Sequence, residues 1–344
     1  MTRVLAVLVA VVLATGLLVV DSVIAQSQYS TDPTPGWKVP RTPDGKPDLQ
    51  GVWGNNSVTP MTRPTQWKDK TVLTDAEVEE LKQLSARYVD QGGDAIFGNF
   101  VQMMLNAKDK GAFAQVSYDP TTGNYNQFWM ADREWDNRTS LIIDPPDGQF
   151  PPLTAEAQAR RAANAAKPRA RGPSDGPEDR PLSERCISYG APRTGANYNS
   201  YVQIIQSPDT VVLMQEMIHD ARVVPMTNRP HLPANIRQLH GDPRGRWEGD
   251  TLVVETTNYL NGFQGSTNNV KLTERYTRVG PDFINWQITV DDPATWTTPY
   301  TFMIRLKKAN GLIYEYACHE GNYAMEGILA GARAEEKAAG KKRQ

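Results

Sequence analysis

The chain has 344 residues, and its 37 basic and 39 acidic side chains leave a formal net charge of −2. That balance excludes a basic field for nucleic acid, and the length allows one large core or two small ones. The 25 prolines, 26 glycines, 8 tryptophans and 13 tyrosines point to many turns and aromatic strands in place of long helices.

At the front, Thr2 and Arg3 precede an apolar run over residues 4–20, closed by the small-residue pattern Val23-Ile24-Ala25. This is the pattern of an export signal over residues 1–25, cleaved before Gln26; a retained membrane anchor is the alternative, since the run approaches spanning length. No cysteine stands at the cleavage point, which argues against a lipoprotein, and no later apolar stretch is long enough to span a bilayer. The expectation is a periplasmic or secreted protein with no stable membrane insertion after cleavage. Residues 26–48, rich in proline and polar side chains, should run extended over the surface. A single β-rich domain is expected over residues 49–335, followed by a charged tail over 336–344.

Within that domain "LQGVWGNNSV" is a first strand anchored by Trp53. Residues 74–88 form an amphipathic helix, with Thr74 as cap, acidic residues in the first turn and apolar positions at Val78, Leu81 and Leu84. A second helix is expected over 154–166, followed by the surface loop "KPRARGPSDGPEDRP". Between the helices, "GNYNQFWMADREWDNRTSLIIDPPDG" suggests two strands around a turn, ending at the Pro-Pro-Asp-Gly breaker.

The last half decides the fold class. Runs over 201–206, 210–218, 222–225, 251–257, 270–279, 283–290, 300–306 and 312–318 are rich in β-formers and mostly separated by short turns. In "INWQITV", Ile284, Trp286, Ile288 and Val290 alternate with Asn285, Gln287 and Thr289, the period of a half-buried strand. With no helical crossover between the runs, the pairing must be antiparallel. The fold expected is mainly β: an antiparallel up-and-down meander of eight strands closing into a lipocalin-like barrel, with a β-sandwich as the alternative.

Cys186 and Cys318 are the two cysteines, and in an oxidising compartment a pair of this kind forms a disulfide. His319 and Glu320 stand beside Cys318. If the strand ends there, as Gly321 permits, they lie at a cavity mouth near "MIHDAR". The groups suited to acid–base chemistry are His319, Glu320, His219, Asp220 and Glu274, the last sharing a strand face with Leu272 and Tyr276. Ligand contacts are expected from Arg222, His231, Arg244, Arg246, Trp286, Tyr314 and Tyr316, with Tyr300 and Phe302 as further aromatic lining. "GDPRGRWEGD" is read as a turn whose two arginines could hold an anionic group. No histidine pair has metal-site spacing, so no metal is expected. No phosphate loop, dinucleotide fingerprint or G-x-S-x-G is present, so no cofactor is expected either.

The phrases "PRTPDGKPDLQGVW", "HGDPRGRWEGDTLVVETTNY" and "YEYACHEGNYAMEGILAGAR" stand in order along most of the chain after residue 25. In them the chain resembles a large family of secreted proteins abundant in acidobacteria and in soil and marine proteobacteria. The resemblance implies export and a single domain, and implies no particular chemistry. The position of His240 is often apolar in that family, which makes His240 the histidine to discount first. Three function classes follow. The first is an exported barrel that binds a small apolar or aromatic molecule in an aromatic-lined cavity. A cofactor-free lyase, hydratase or hydrolase acting in the same cavity is the second, and a structural envelope protein without a cavity is the third.

Overall fold

The computed structural model describes residues 27–91, 93, 100–113, 132–166, 171–196 and 198–340; the expected export signal lies outside them. Among the described residues there are ten strands: β1 (Gly51–Gly54), β2 (Ile142–Asp144), β3 (Tyr201–Gln206), β4 (Thr210–Gln215), β5 (Ala221–Pro225), β6 (Asp242–Glu248), β7 (Thr251–Thr257), β8 (Lys271–Arg278), β9 (Phe283–Asp291) and β10 (Tyr300–Lys308). β9 keeps the alternation read in its sequence, with Ile284, Trp286, Ile288 and Val290 buried and the residues between them half-exposed. Along the sheet the order is β5-β4-β3-β1-β10-β9-β8-β7-β6, every pair antiparallel. β2 continues β1 along the same side of β10: β1 faces Lys307 and Lys308, while β2 faces Thr301 and Phe302.

Written as a circle, that order is the chain order, so the sheet is an up-and-down meander nearly closed into a barrel. Its two ends meet where β5 approaches β6, through a parallel bridge between Met226 and Gly245. Nine strand positions dictate this seam. An odd number of strands cannot alternate direction all the way round, so one junction must be parallel, and a parallel junction needs a long connection. Residues 226–241 supply it. Gly245 lets the edges approach, since a Cβ there would stand 2.9 Å from Val224 Cγ1 and would also collide with Met226 Sδ.

Three expectations about strands differ from the structure. "GDPRGRWEGD" is not a turn but strand β6, paired along its length with β7. Its proline and glycine read as turn residues because the seam, which carries one bridge in place of a full ladder, tolerates both. Residues 312–318 form no strand: β10 already has β9 on one side and β1 with β2 on the other, so no ladder edge remains for them. The run over 210–218 stops at Gln215, where residues 216–220 make the β4–β5 connection with Ile218 and His219 at positive φ.

Inward side chains fill the barrel. Leu252, Leu272, Ile288, Phe302 and Ile304 are among the completely buried ones. A second, smaller core forms where α1 (Asp75–Asp90) meets α2 (Phe100–Lys110). α1 carries the Thr74–Glu77 capping box and buries Val78, Leu81 and Leu84 as its periodicity predicts. α3 (Ala155–Ala166) lies where the second helix is expected. α2 and the C-terminal α4 (Tyr323–Ala338) were not foreseen from sequence, and α4 buries no residue. Of the two strands expected between the helices only β2 is present among the described residues, followed by the Pro145–Gly148 turn.

Candidate functional site

Two polar arrangements occupy the barrel and differ in what can reach them. Deep inside, Glu274 of β8 meets Arg222 of β5 in a bidentate ion pair, with Nη1 to Oε1 at 2.6 Å and Nη2 to Oε2 at 2.8 Å. Tyr276 Oη donates to Oε2 at 2.8 Å, and Trp286 Nε1 donates to the same oxygen at 3.1 Å. The rings of Tyr276 and Trp286 stack at 5.4 Å. Burial opposes the charge on Arg222, but the facing carboxylate outweighs it and holds the guanidinium protonated above its ordinary range. Burial first, and then repulsion from Glu274, pushes the Tyr276 phenol well up.

Glu274, Arg222 and Trp286 were expected to serve catalysis or ligand binding. Together they instead form a sealed network in which both carboxylate oxygens are satisfied, while Arg222 Nε has no hydrogen-bond partner among the described residues. The gap beside them, bordered by Gln215 and Arg222, holds about 20 Å³, room for one water. Tyr300 and Phe302 are likewise packed core residues rather than cavity lining.

The space a small molecule could enter lies at one end of the barrel, where β1, β4 and β7 finish and β3, β5 and β6 begin. A cavity of about 860 Å³ is bounded there by barrel-end residues and by a strap, residues 188–196 and 198–199, crossing the mouth. Its aromatic walls are Tyr189, Tyr198, Tyr259, Phe263 and Tyr316; Met61, Leu141, Met217 and Leu239 add aliphatic surface. Buried polar side chains of the barrel pin the strap. Asp220 accepts from Ser188 Oγ at 2.9 Å and from the Tyr189 amide at 3.0 Å. Asn55 Nδ2 donates to the Thr194 carbonyl at 2.9 Å, and Glu216 Oε1 accepts from Asn199 Nδ2 at 2.7 Å. Burial raises the Asp220 pKa, but His240, Ser188 and the Tyr189 amide together bring it below the ordinary carboxylate value. The hold on the strap is therefore present above about pH 4 and is lost as acid protonates that carboxylate.

Asp220 is the expected acid–base residue that the structure brings to the strap, buried behind the cavity wall, and its partners were not foreseen. His240, the histidine discounted on sequence, places Nε2 at 2.9 Å from Ser188 Oγ and 3.4 Å from Asp220 Oδ1. This is not a nucleophile relay, which needs serine and carboxylate on opposite ring nitrogens; here both face the same one, and the serine proton goes to the carboxylate.

The other expected groups are scattered. His219 is exposed on the β4–β5 connection, and His319 and Glu320 are exposed in the turn before α4, without a side-chain hydrogen bond or ion pair among the described residues. The proposed meeting of His319 with Asp220 or Glu320 is therefore not present. His231 lies between Asp242 (3.1 Å) and Glu255 (3.2 Å), fastening the 226–241 connection to β6 and β7. Arg244 pairs with that same Asp242 at 2.5 Å, whereas Arg246 pairs with Glu248 on the exposed face. Tyr314 is 79 % exposed, which leaves Tyr316 as the expected aromatic that reaches the cavity.

The Cys186–Cys318 disulfide is formed, with a Cα–Cα distance of 5.6 Å. It ties the segment carrying Leu182, Ser188 and Tyr189 to the segment carrying Tyr316, so it joins two walls of the cavity. A Cys186→Ala/Cys318→Ala variant is expected to lose about 2–4 kcal/mol in denaturant unfolding followed by tryptophan fluorescence. An unchanged midpoint would contradict that role.

No family model matches the chain, and no curated protein matches it. Among solved structures it is similar to a secretary abundant heat soluble (SAHS) protein from Ramazzottius varieornatus, at 12% identity and a TM-score of 0.22. The match covers 32% of this chain and 70% of that one. So slight a likeness does not bear on the fold, which rests on strand order and register. No helix among the described residues is long and apolar enough to cross a membrane.

Proposed function

We propose that this is an exported small-molecule-binding barrel, of the secreted family its sequence phrases resemble, whose ligand occupies the cavity under the strap. The observation that carries the reading is the cavity itself. At about 860 Å³ it falls in the size range of ligand sites, and its walls set aromatic and aliphatic side chains beside polar ones, Asn55, Asn261 and Gln264 among them. Stacking area from tyrosines at positions 189, 198, 259 and 316 suits a flat apolar or aromatic molecule. The disulfide and the signal-like N-terminus support an oxidising compartment outside the cytoplasm. A lyase, hydratase or hydrolase built on His319, Glu320 and His219 draws no support from their exposed, separated positions.

The neutral fluorescent probe N-phenylnaphthylamine tests the reading. Saturable binding at one probe per chain is expected, and Leu239→Trp, which fills the cavity from its wall, should weaken it by at least about tenfold, roughly 1.4 kcal/mol. Absence of saturable binding, or binding that Leu239→Trp leaves unchanged, would overturn it.

A further inference from the structure

Resting on that reading, the cavity's charge pattern narrows the ligand class. Arg193 is the single charged side chain among the described residues that line it. No carboxylate among the described residues lies within ion-pair distance of its guanidinium; its hydrogen bonds go to backbone carbonyls of its own strap, Tyr198 at 2.9 Å, Asn199 at 3.1 Å and Gly195 at 3.3 Å. Nε is buried without a hydrogen-bond partner, and the guanidinium lies 5.2 Å from the centre of the Tyr189 ring. Across the same space Asn55 lines the cavity beside the strap.

Arg222 is neutralised by a bidentate carboxylate, whereas Arg193 is held in place by carbonyl dipoles, and its carboxylate neighbour Glu216, bonded to Asn199, acts on it through space without an ion pair. At a largely apolar wall a bound anion would add the direct charged partner that Glu216 does not supply. The strap's carbonyls fix the guanidinium's orientation beforehand, so a bound anion has little ordering to offset.

We infer that the cavity takes an apolar or aromatic molecule carrying one anionic group, a carboxylate or a sulfonate, with the acid against Arg193 and the ring among the tyrosines. Neutral molecules of the same shape bind through the walls alone. Anions without an apolar body gain too little area to compete with water.

The test compares two probes of one ring skeleton, anilinonaphthalene sulfonate and neutral N-phenylnaphthylamine, on the full-length protein and on Arg193→Gln. The sulfonate should bind at least about tenfold more tightly to the wild type, a difference of roughly 1.4 kcal/mol, and Arg193→Gln should bring the two probes together. Equal affinities in the wild type would overturn the inference and leave the cavity reading standing. Failure of both probes would remove both. Should Arg193→Gln lose both probes by releasing the strap, Arg193→Lys decides: retained preference for the sulfonate supports the inference, and neutral-probe binding without that preference overturns it.

Discussion

Arg222→Leu lowers the stability of the protein by about 3–5 kcal/mol, the cost of leaving a fully buried carboxylate without its partner. Tyr276 and Trp286 each supply Glu274 with only one neutral donor, and the adjoining gap admits only a single water. The same network makes a second, sharper expectation. In Arg222→Leu/Glu274→Leu both charges are gone, and the apolar pair fits a barrel interior already filled by Leu272, Ile288 and Ile304, so most of the loss should be recovered. Urea unfolding of both variants measures this. A double variant no more stable than the single one would show that the pair contributes more than it costs to bury.

Trp53→Ala is expected to remove a comparable 3–5 kcal/mol, about the usual loss for a buried large aromatic. Trp53 is 0 % exposed, its Nε1 donates to the Leu49 carbonyl at 2.9 Å, and the Arg278 guanidinium lies over its ring at 5.3 Å. Arg278 also lies over Trp37 and donates to the Asp48 carbonyl, so the truncation undoes the anchoring of the N-terminal segment where β8 ends. Near-ultraviolet dichroism and the unfolding midpoint should change together. A loss under about 1 kcal/mol would mean the site collapses around the missing ring.

The strands that could be read from sequence were those with one buried face and a regular neighbour on each side. β9 is the clearest case, because a two-residue period in "INWQITV" records which face is inside. β6 carried no such record: Pro243 and Gly245 look like turn chemistry, and only the seam with β5 shows why they are there. The opposite error occurred at 312–318, whose residues have the composition of a strand but meet a sheet that is already closed.

For the candidate site the limits were different. Asp220 and Tyr316 were legible because each stands beside a recognisable feature, a histidine in "MIHDAR" and a cysteine in "YEYACHEG". Ser188 and His240 were not, being brought to Asp220 from 32 and 20 residues away by the barrel mouth. The strap carried a weak signal: "SYGAPRTGANYN" follows the first cysteine and sets an arginine and two tyrosines among turn residues. A loop of that kind is spent on contacts, since it has no periodic face to bury. Glu274 shows the reverse problem: the face it shares with Leu272 and Tyr276 was legible, but that this face points inward, and that the carboxylate is paired there, depends on Arg222, 52 residues earlier.

A crystal of the protein soaked with the anionic naphthalene probe decides where a ligand sits. One probe is expected under the strap, its rings against Tyr259 and Tyr316 and its sulfonate on Arg193, with the Arg222–Glu274 pair undisturbed behind it. A strap packed down on the barrel end with no space beneath it, or a probe seated only on the outer surface, would contradict that placement.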